Sequence, residues 1–257
     1  MYLLHGAATS PFVRKAWIFL KEKNLEFEHR QLDPLDKSSR FLTMNPLGRI
    51  PILEEADGNL IADSSVICDY LERAHPAPAL YPSDHRARAR ALWFEEYGDS
   101  LLTQVCARIF WMHIIIPVRT GKPTDQTEVD AFRDAEFPGA FDYLERVVPD
   151  EGGLIDERFG IADISLAAPV RLLDLAGAPW TPSAGPASTP SIAGSSRVPR
   201  RFRSAPVSWR RRRYSARPGT RRGETLWRTV SSWRFAGMLG IVDDCLELPY
   251  ERLWKAG

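Results

Sequence analysis

Asn45-Pro46-Leu47-Gly48-Arg49-Ile50-Pro51-Ile52-Leu53 is the stretch whose reading decides the fold. Asn-Pro-Leu-Gly is a turn, and an apolar strand begins on the proline that follows. Pro51 has no N–H to give to a sheet, so it belongs at a strand start, an edge or a bulge. That leaves the backbone groups of Ile50 free to pair with something outside the chain. Asp57-Gly58 reads as a hairpin turn and Leu60-Ile61 as a short strand. Asp63-Ser64-Ser65 then caps a helix with Ile67, Tyr70 and Leu71 on its apolar side. One short span thus supplies a free strand edge, a cationic Arg49 and a helix N-terminus bearing hydroxyls. These suit a small extended ligand that carries a carboxylate.

Toward the N-terminus, Tyr2-Leu3-Leu4-His5 is a short strand and Gly6-Ala7-Ala8-Thr9 a loop of small residues. Ser10-Pro11 opens a helix, with Ser as N-cap and Pro in the first helical position. Val13, Ala16, Trp17 and Leu20 predict one buried face, and Asn24 a stop. Residues 25–32 read as a strand; residues 33–44 are polar, with one helical turn. The order is βαβ, a β-hairpin and a helix, which is the thioredoxin-like α/β layout.

Toward the C-terminus, residues 77–85 are a linker by composition. Leu92, Tyr97, Leu101, Val105, Ile109 and Met112 then recur at helical spacing up to a break expected at Pro117. A second helical pattern carries Val129, Phe132, Phe141, Leu144 and Val148, with a bend expected at Pro138-Gly139. A third begins at Gly160, with Asp163 left to answer the free N–H groups and a kink expected at Pro169. The expected division is a thioredoxin-like domain over 1–76, an all-α domain over 86–177 and an atypical tail over 178–257.

The whole-chain bounds are permissive. At 257 residues, 44% hydrophobic and a net charge of +1, two modest cores fit, with no general attraction to nucleic acid. The three cysteines Cys68, Cys106 and Cys245 are far apart, which suits a reducing cytosol. The five histidines show no metal-ligand spacing, so no metal is expected. No apolar run of membrane-span length and no signal peptide are read, and the expected location is cytoplasmic.

The stretch around Pro51, the Ser10-Pro11 helix start and the Asp63-Ser64 pair together resemble the cytosolic glutathione transferase family, over residues 1 to about 177. The resemblance implies a cis bond before Pro51, a homodimer, and glutathione as co-substrate in detoxification of a small electrophile. It implies that Ser10, or Thr9 one residue earlier, favours the glutathione thiolate. It assigns a glutathione carboxylate to Arg49, with Lys37 a second candidate, and the γ-glutamyl end to Asp63 and Ser64. Ile50 pairs with glutathione through its backbone, beside Pro51. Arg108, Trp111 and Met112 are candidates for lining the second-substrate pocket. Lowering a thiol pKa from about 8.5 by roughly two units needs about 2.7 kcal/mol of thiolate stabilisation. A hydroxyl donor and a helix N-terminus supply energy of that order.

Other readings are distinguishable. A maleylacetoacetate-isomerase-like enzyme typically shows Ser-Ser-Cys before the first helix, where this chain has Ala8-Thr9-Ser10. A thiol–disulfide transferase needs a nucleophilic sulfur that Ser10 lacks. A glutathione-binding protein without turnover would give binding heat but no conjugation. A nucleic-acid binder would act through the Arg-rich segment, with salt-sensitive affinity.

That segment departs from the resemblance. Eleven arginines fall between Arg197 and Arg222 with no Lys, Asp or Glu, and residues 178–223 are rich in Pro, Ser, Gly and Ala. A GC-rich gene read out of frame yields such codons, and so composed a segment is expected to remain disordered. The rival is a real basic tail for polyanions. Resequencing the gene is expected to reveal a frame change near Ala178–Pro182. An intact frame, with a protease-resistant segment in the purified protein, would contradict both expectations.

Overall fold

The computed structural model describes residues 1–33, 35, 38–149 and 152–177. Lys37 and residues 178–257, with the Arg-rich segment and the expected frame change, lie outside the described residues.

Four strands, β1 (Tyr2–His5), β2 (Phe27–Arg30), β3 (Ile52–Glu54) and β4 (Leu60–Ala62), form one sheet in the order β2-β1-β3-β4. β1 and β2 are parallel, with Leu4 opposite His29; β3 is antiparallel to both β1 and β4, with Leu53 between Leu4 and Ile61. The parallel pair needs a crossover, and α1 (Pro11–Glu22) supplies it. Ser10 caps α1, its hydroxyl accepting from Val13 N–H at 3.5 Å. Two short helices follow, α2 (Ser39–Met44) and α3 (Ser64–Ala74). This is the thioredoxin-like half. β3 starts at Ile52 rather than on Pro51, which has no N–H to enter the ladder.

The helical half holds α4 (His85–Thr120), α5 (Gln126–Val147) and α6 (Ile161–Leu175). α4 corrects three expectations. It runs through Pro117 and stops at Gly121, which takes a φ of 68°. A π turn at Trp111–Ile115 precedes the proline, and the Thr124 hydroxyl donates to the carbonyls of Met112 and His113, at 3.4 and 3.5 Å. Proline has no N–H to answer the carbonyl a turn below it. A second π turn at Gly98–Leu102 inserts one residue. Leu102 is therefore interior in place of Leu101, which is exposed; Leu92 of the expected stripe, before the insertion, is exposed as well. By length and composition alone, α4 is also apolar enough to cross a membrane; what it meets here is α6 and α5.

α5 and α6 each continue through their prolines, Pro138 and Pro169. Pro169 cannot donate to the Ser165 carbonyl. Gly98 packs at that carbonyl, so closely that a Cβ would stand 2.3 Å from it. At the start of α6, Asp163 accepts from the N–H groups of Leu154 and Gly160, both at 2.9 Å, as the sequence led one to expect. Burial pushes its carboxyl up to about 6 against the pull of those donors. The reason for Gly160 is steric. The Leu80 carbonyl accepts from Ile161 N–H at 2.9 Å, and a Cβ on Gly160 would sit 2.5 Å from it.

α1 is buried on both sides rather than on one face, because the sheet and α3 cover one side and α6 the other. Arg14 and Lys15, which a solvent-facing stripe would carry, are interior. The Lys15 ammonium lies 2.7 Å from Glu95 and 2.5 Å from Asp99, both on α4, and donates to the Ser65 hydroxyl of α3 at 2.9 Å. Ser65 in turn donates to Asp99, and Tyr81 of the linker to Glu95. Burial alone would lower the pKa of this ammonium; Asp99, Cys68 and Glu95 together hold it above its ordinary value. Nearby, Lys23 pairs with Glu72 and donates to the carbonyls of His75 and Pro78, while Glu72 accepts from Leu80 and Tyr81. Two buried lysines thus fasten the linker and the second half to α1. Lys15→Ala strands the buried Glu95 carboxylate and leaves the half-buried Asp99 without its cation, and is expected to cost about 3 kcal/mol in denaturant unfolding. A loss under about 1 kcal/mol would show that the network adds little.

Candidate functional site

The loop from Gly6 to Ser10, the Ile50-Pro51 segment and the start of α3 meet at one end of the sheet. Gly6 makes the meeting possible. Its φ is 151°, and a Cβ there would lie 2.4 Å from Val13 Cγ2 on α1 and 3.2 Å from Ile50 Cβ. Only glycine gives both the conformation and the space. The Gly6 carbonyl also accepts from His29 Nε2 at 2.7 Å, which ties the loop to β2. Burial, the largest influence on His29, keeps its pKa below the ordinary value, so the ring is a neutral donor.

The Ile50–Pro51 peptide bond is cis, as is Ala77–Pro78. Ile50 is buried, and among the described residues its N–H and C=O have no backbone partner. Asn45 supports the approach: its side chain accepts from Leu47 N–H at 3.0 Å and donates to the Arg49 carbonyl at 2.8 Å. Pro51 C=O accepts from Asp63 N–H at 3.3 Å, which sets the start of α3 beside the cis bond. Asp63 has a φ of 82°, rare for a residue with a side chain. Such backbone outliers gather at ligand sites. Its carboxylate accepts from Ser65 and Val66 N–H groups at 2.9 and 3.3 Å. Ser64 is buried, and among the described residues its hydroxyl makes no hydrogen bond.

Ser10 and Thr9 are half-buried at the N-terminus of α1. Arg49 is exposed and, among the described residues, makes no ion pair. The three pocket candidates are not all at the surface. Trp111 is 42% exposed, Arg108 is exposed and pairs with Glu128 of α5 at 3.3 Å, and Met112 is 4% exposed, inside the helical core. A cleft of about 390 Å³ exists elsewhere, between residues 79–84 and 155–163, and none of the site candidates lines it.

Sequence reasoning missed Gly6, whose signal was a lone glycine directly after a strand. It also missed Arg14, one turn into α1, which is fully interior. The guanidinium donates to the carbonyls of Thr9 at 3.0 Å, Ala8 at 3.4 Å and Ala168 of α6 at 2.6 Å.

Known proteins are similar to this chain in sequence and fold. A family model described as glutathione S-transferase, N-terminal domain, matches residues 4–79. The Escherichia coli K12 protein named as uncharacterized GST-like protein YibF is 30% identical over 172 residues, 66% of this chain and 81% of its own length. The chain belongs to the glutathione S-transferase family. Among the enzymes of that family, mouse glutathione S-transferase theta-3 is 30% identical over 156 residues; they make up 59% of this chain and 64%, under two thirds, of that relative. A solved glutathione S-transferase from Rhodospirillum rubrum F11 superposes with a TM-score of 0.62 at 29% identity, covering 69% of this chain and 80% of its own. One from Methylobacterium radiotolerans, solved in complex with glutathione sulfonate, gives 0.55 at 27% identity, covering 67% and 79%.

Proposed function

We propose that this family member is a glutathione transferase that activates the glutathione thiol for attack on a small electrophile. One observation carries the reading: the buried Ile50, whose N–H and C=O have no backbone partner among the described residues, stands beside a cis proline and the Asp63–Ser64 helix start. An extended peptide would pair with Ile50 as a short added strand. Its γ-glutamyl end would meet the Asp63 carboxylate and the Ser64 hydroxyl, and its glycine carboxylate the exposed Arg49. Lys37 remains a second candidate for that carboxylate.

The thiol would then lie at the N-terminus of α1. The Ser10 hydroxyl already accepts from Val13 N–H, so its own proton is available to donate to a thiolate sulfur. Thr9 offers the neighbouring hydroxyl. In the reaction, the thiol gives up its proton to solvent water, the thiolate forms a C–S bond to the electrophilic carbon, and the leaving group departs with the bonding electrons. The electrophile would sit toward α4, where Trp111 and Arg108 are exposed and Met112 contributes packing. The glutathione sulfonate held by the Methylobacterium relative supports the ligand class. The exposed apolar residues Val66 of α3 and Leu92 and Trp93 of α4 support a homodimer.

Titration calorimetry with glutathione is expected to give a Kd in the micromolar-to-millimolar range, and Ser64→Ala to weaken it by roughly tenfold, the worth of one hydrogen bond to a charged group. Ser10→Ala is expected to lower kcat on a chromogenic electrophile by about 10²-fold, with the Kd for glutathione nearly unchanged. No binding heat and no thermal shift at high glutathione would end the transferase reading. A silent Ser10→Ala beside an impaired Thr9→Ala would move the role one residue earlier.

A further inference from the structure

We infer that Arg14 is a positioning residue for thiol activation, one that makes the active loop depend on the second domain. The inference rests on the transferase reading above. Its ground is a set of three contacts. The buried guanidinium donates to the carbonyls of Ala8 and Thr9, the two residues before Ser10, and to the carbonyl of Ala168 in the middle of α6.

Two successive carbonyls turned toward the protein interior need donors, since leaving them unanswered in a dry environment is costly. The planar fork of arginine reaches several acceptors at fixed angles. In a trans peptide the N–H points opposite to the C=O. With the Ala8 carbonyl drawn to Arg14, the Thr9 N–H therefore points away from it. Among the described residues that N–H has no backbone partner. The loop closes on itself through Ser10 N–H, which donates to the Ala7 carbonyl at 2.9 Å. Arg14 N–H, a turn later, donates to the Ser10 carbonyl at 3.0 Å. One residue thus fixes the peptide planes of 8–9 and 9–10 with its side chain and the carbonyl of Ser10 with its backbone. The donors left without an acceptor among the described residues are the Ser10 hydroxyl and the Thr9 N–H, both suited to a thiolate.

The contact to Ala168 carries the consequence. α6 is the central helix of the second domain, and no side chain on it is a site candidate. Through Arg14 its backbone nonetheless sets the orientation of the loop in the first domain. Displacement of α6 would release Arg14 and the loop together.

The test uses Arg14→Lys and Arg14→Met in the full chain. Lysine keeps the buried charge but cannot span both the loop and α6. Three quantities are read: melting temperature, the Kd for glutathione by calorimetry, and the pH dependence of thiolate absorbance and kcat. Arg14→Lys is expected to fold, to bind glutathione within about threefold of the natural protein, to raise the apparent pKa of the bound thiol by about one unit and to lower kcat. Arg14→Met is expected to lower kcat further, toward 10²-fold, the scale of a small misplacement of reacting groups. A residue that only stabilised the fold would change the melting temperature and leave the thiol pKa of the folded variant alone. An unchanged pKa and kcat in folded Arg14→Lys would overturn the inference, and so would an Arg14→Lys that cannot fold, which would mark a role in folding. If the natural protein itself fails to bind or ionise glutathione, the transferase reading falls and takes the inference with it.

Discussion

The Lys15 ammonium, buried between two carboxylates of α4 and a hydroxyl of α3, is the constraint on which the two-domain arrangement depends. A lone buried ammonium would be expelled or neutralised. Here it is retained because the first domain and the second must both be in place to satisfy it. Its own helix, α1, can therefore be covered by the sheet on one side and α6 on the other. Lys23 extends the principle to the linker, which it fixes through Glu72 and the carbonyls of His75 and Pro78. The domains are joined by desolvated charge as well as by apolar packing.

The site is a consequence of that arrangement. The proposed contacts combine the Ile50 backbone with side chains at loop ends and helix starts, so the site's geometry is set by whatever orients the peptide planes that carry them. Gly6 lets α1 and Ile50 approach, Asn45 braces the turn before the cis bond, and the 3.3 Å bond from Asp63 N–H to the Pro51 carbonyl sets α3 alongside. Arg14 does the same for the loop that carries Thr9 and Ser10. A pocket of this kind has few side chains whose chemistry announces it. The residues that hold it in shape lie inside the protein.

Much of this was legible in the sequence. Pro51, the Asp57-Gly58 turn and the Asp63 cap fix a hairpin and a helix by local chemistry alone, and Ser10-Pro11 marks the start of α1 in the same way. The family resemblance ranked the site residues; periodicity alone could not have done so. What stayed hidden was long-range. Arg14 and Lys15 look like a solvated pair until α6 is seen to meet Arg14, and α3 and α4 to meet Lys15. The π turn at Gly98–Leu102 puts Leu102 inside in place of Leu101, and no propensity signals an inserted residue within a helix. Pro117 reads as a break and Pro169 as a kink because their lost N–H groups are local, while Thr124 and Gly98, which lie at the freed carbonyls, are distant in sequence. Gly160 read as a weak cap because the Leu80 carbonyl that excludes a side chain belongs to the linker.

The central claim is that this scaffold stabilises a thiolate at the N-terminus of α1. Its most direct test is a pH titration of the ultraviolet thiolate absorbance of glutathione bound to the natural protein. The account predicts an apparent pKa about two units below the roughly 8.5 of the free thiol. A bound thiol that titrates at its free value, with saturation verified by calorimetry, would contradict it.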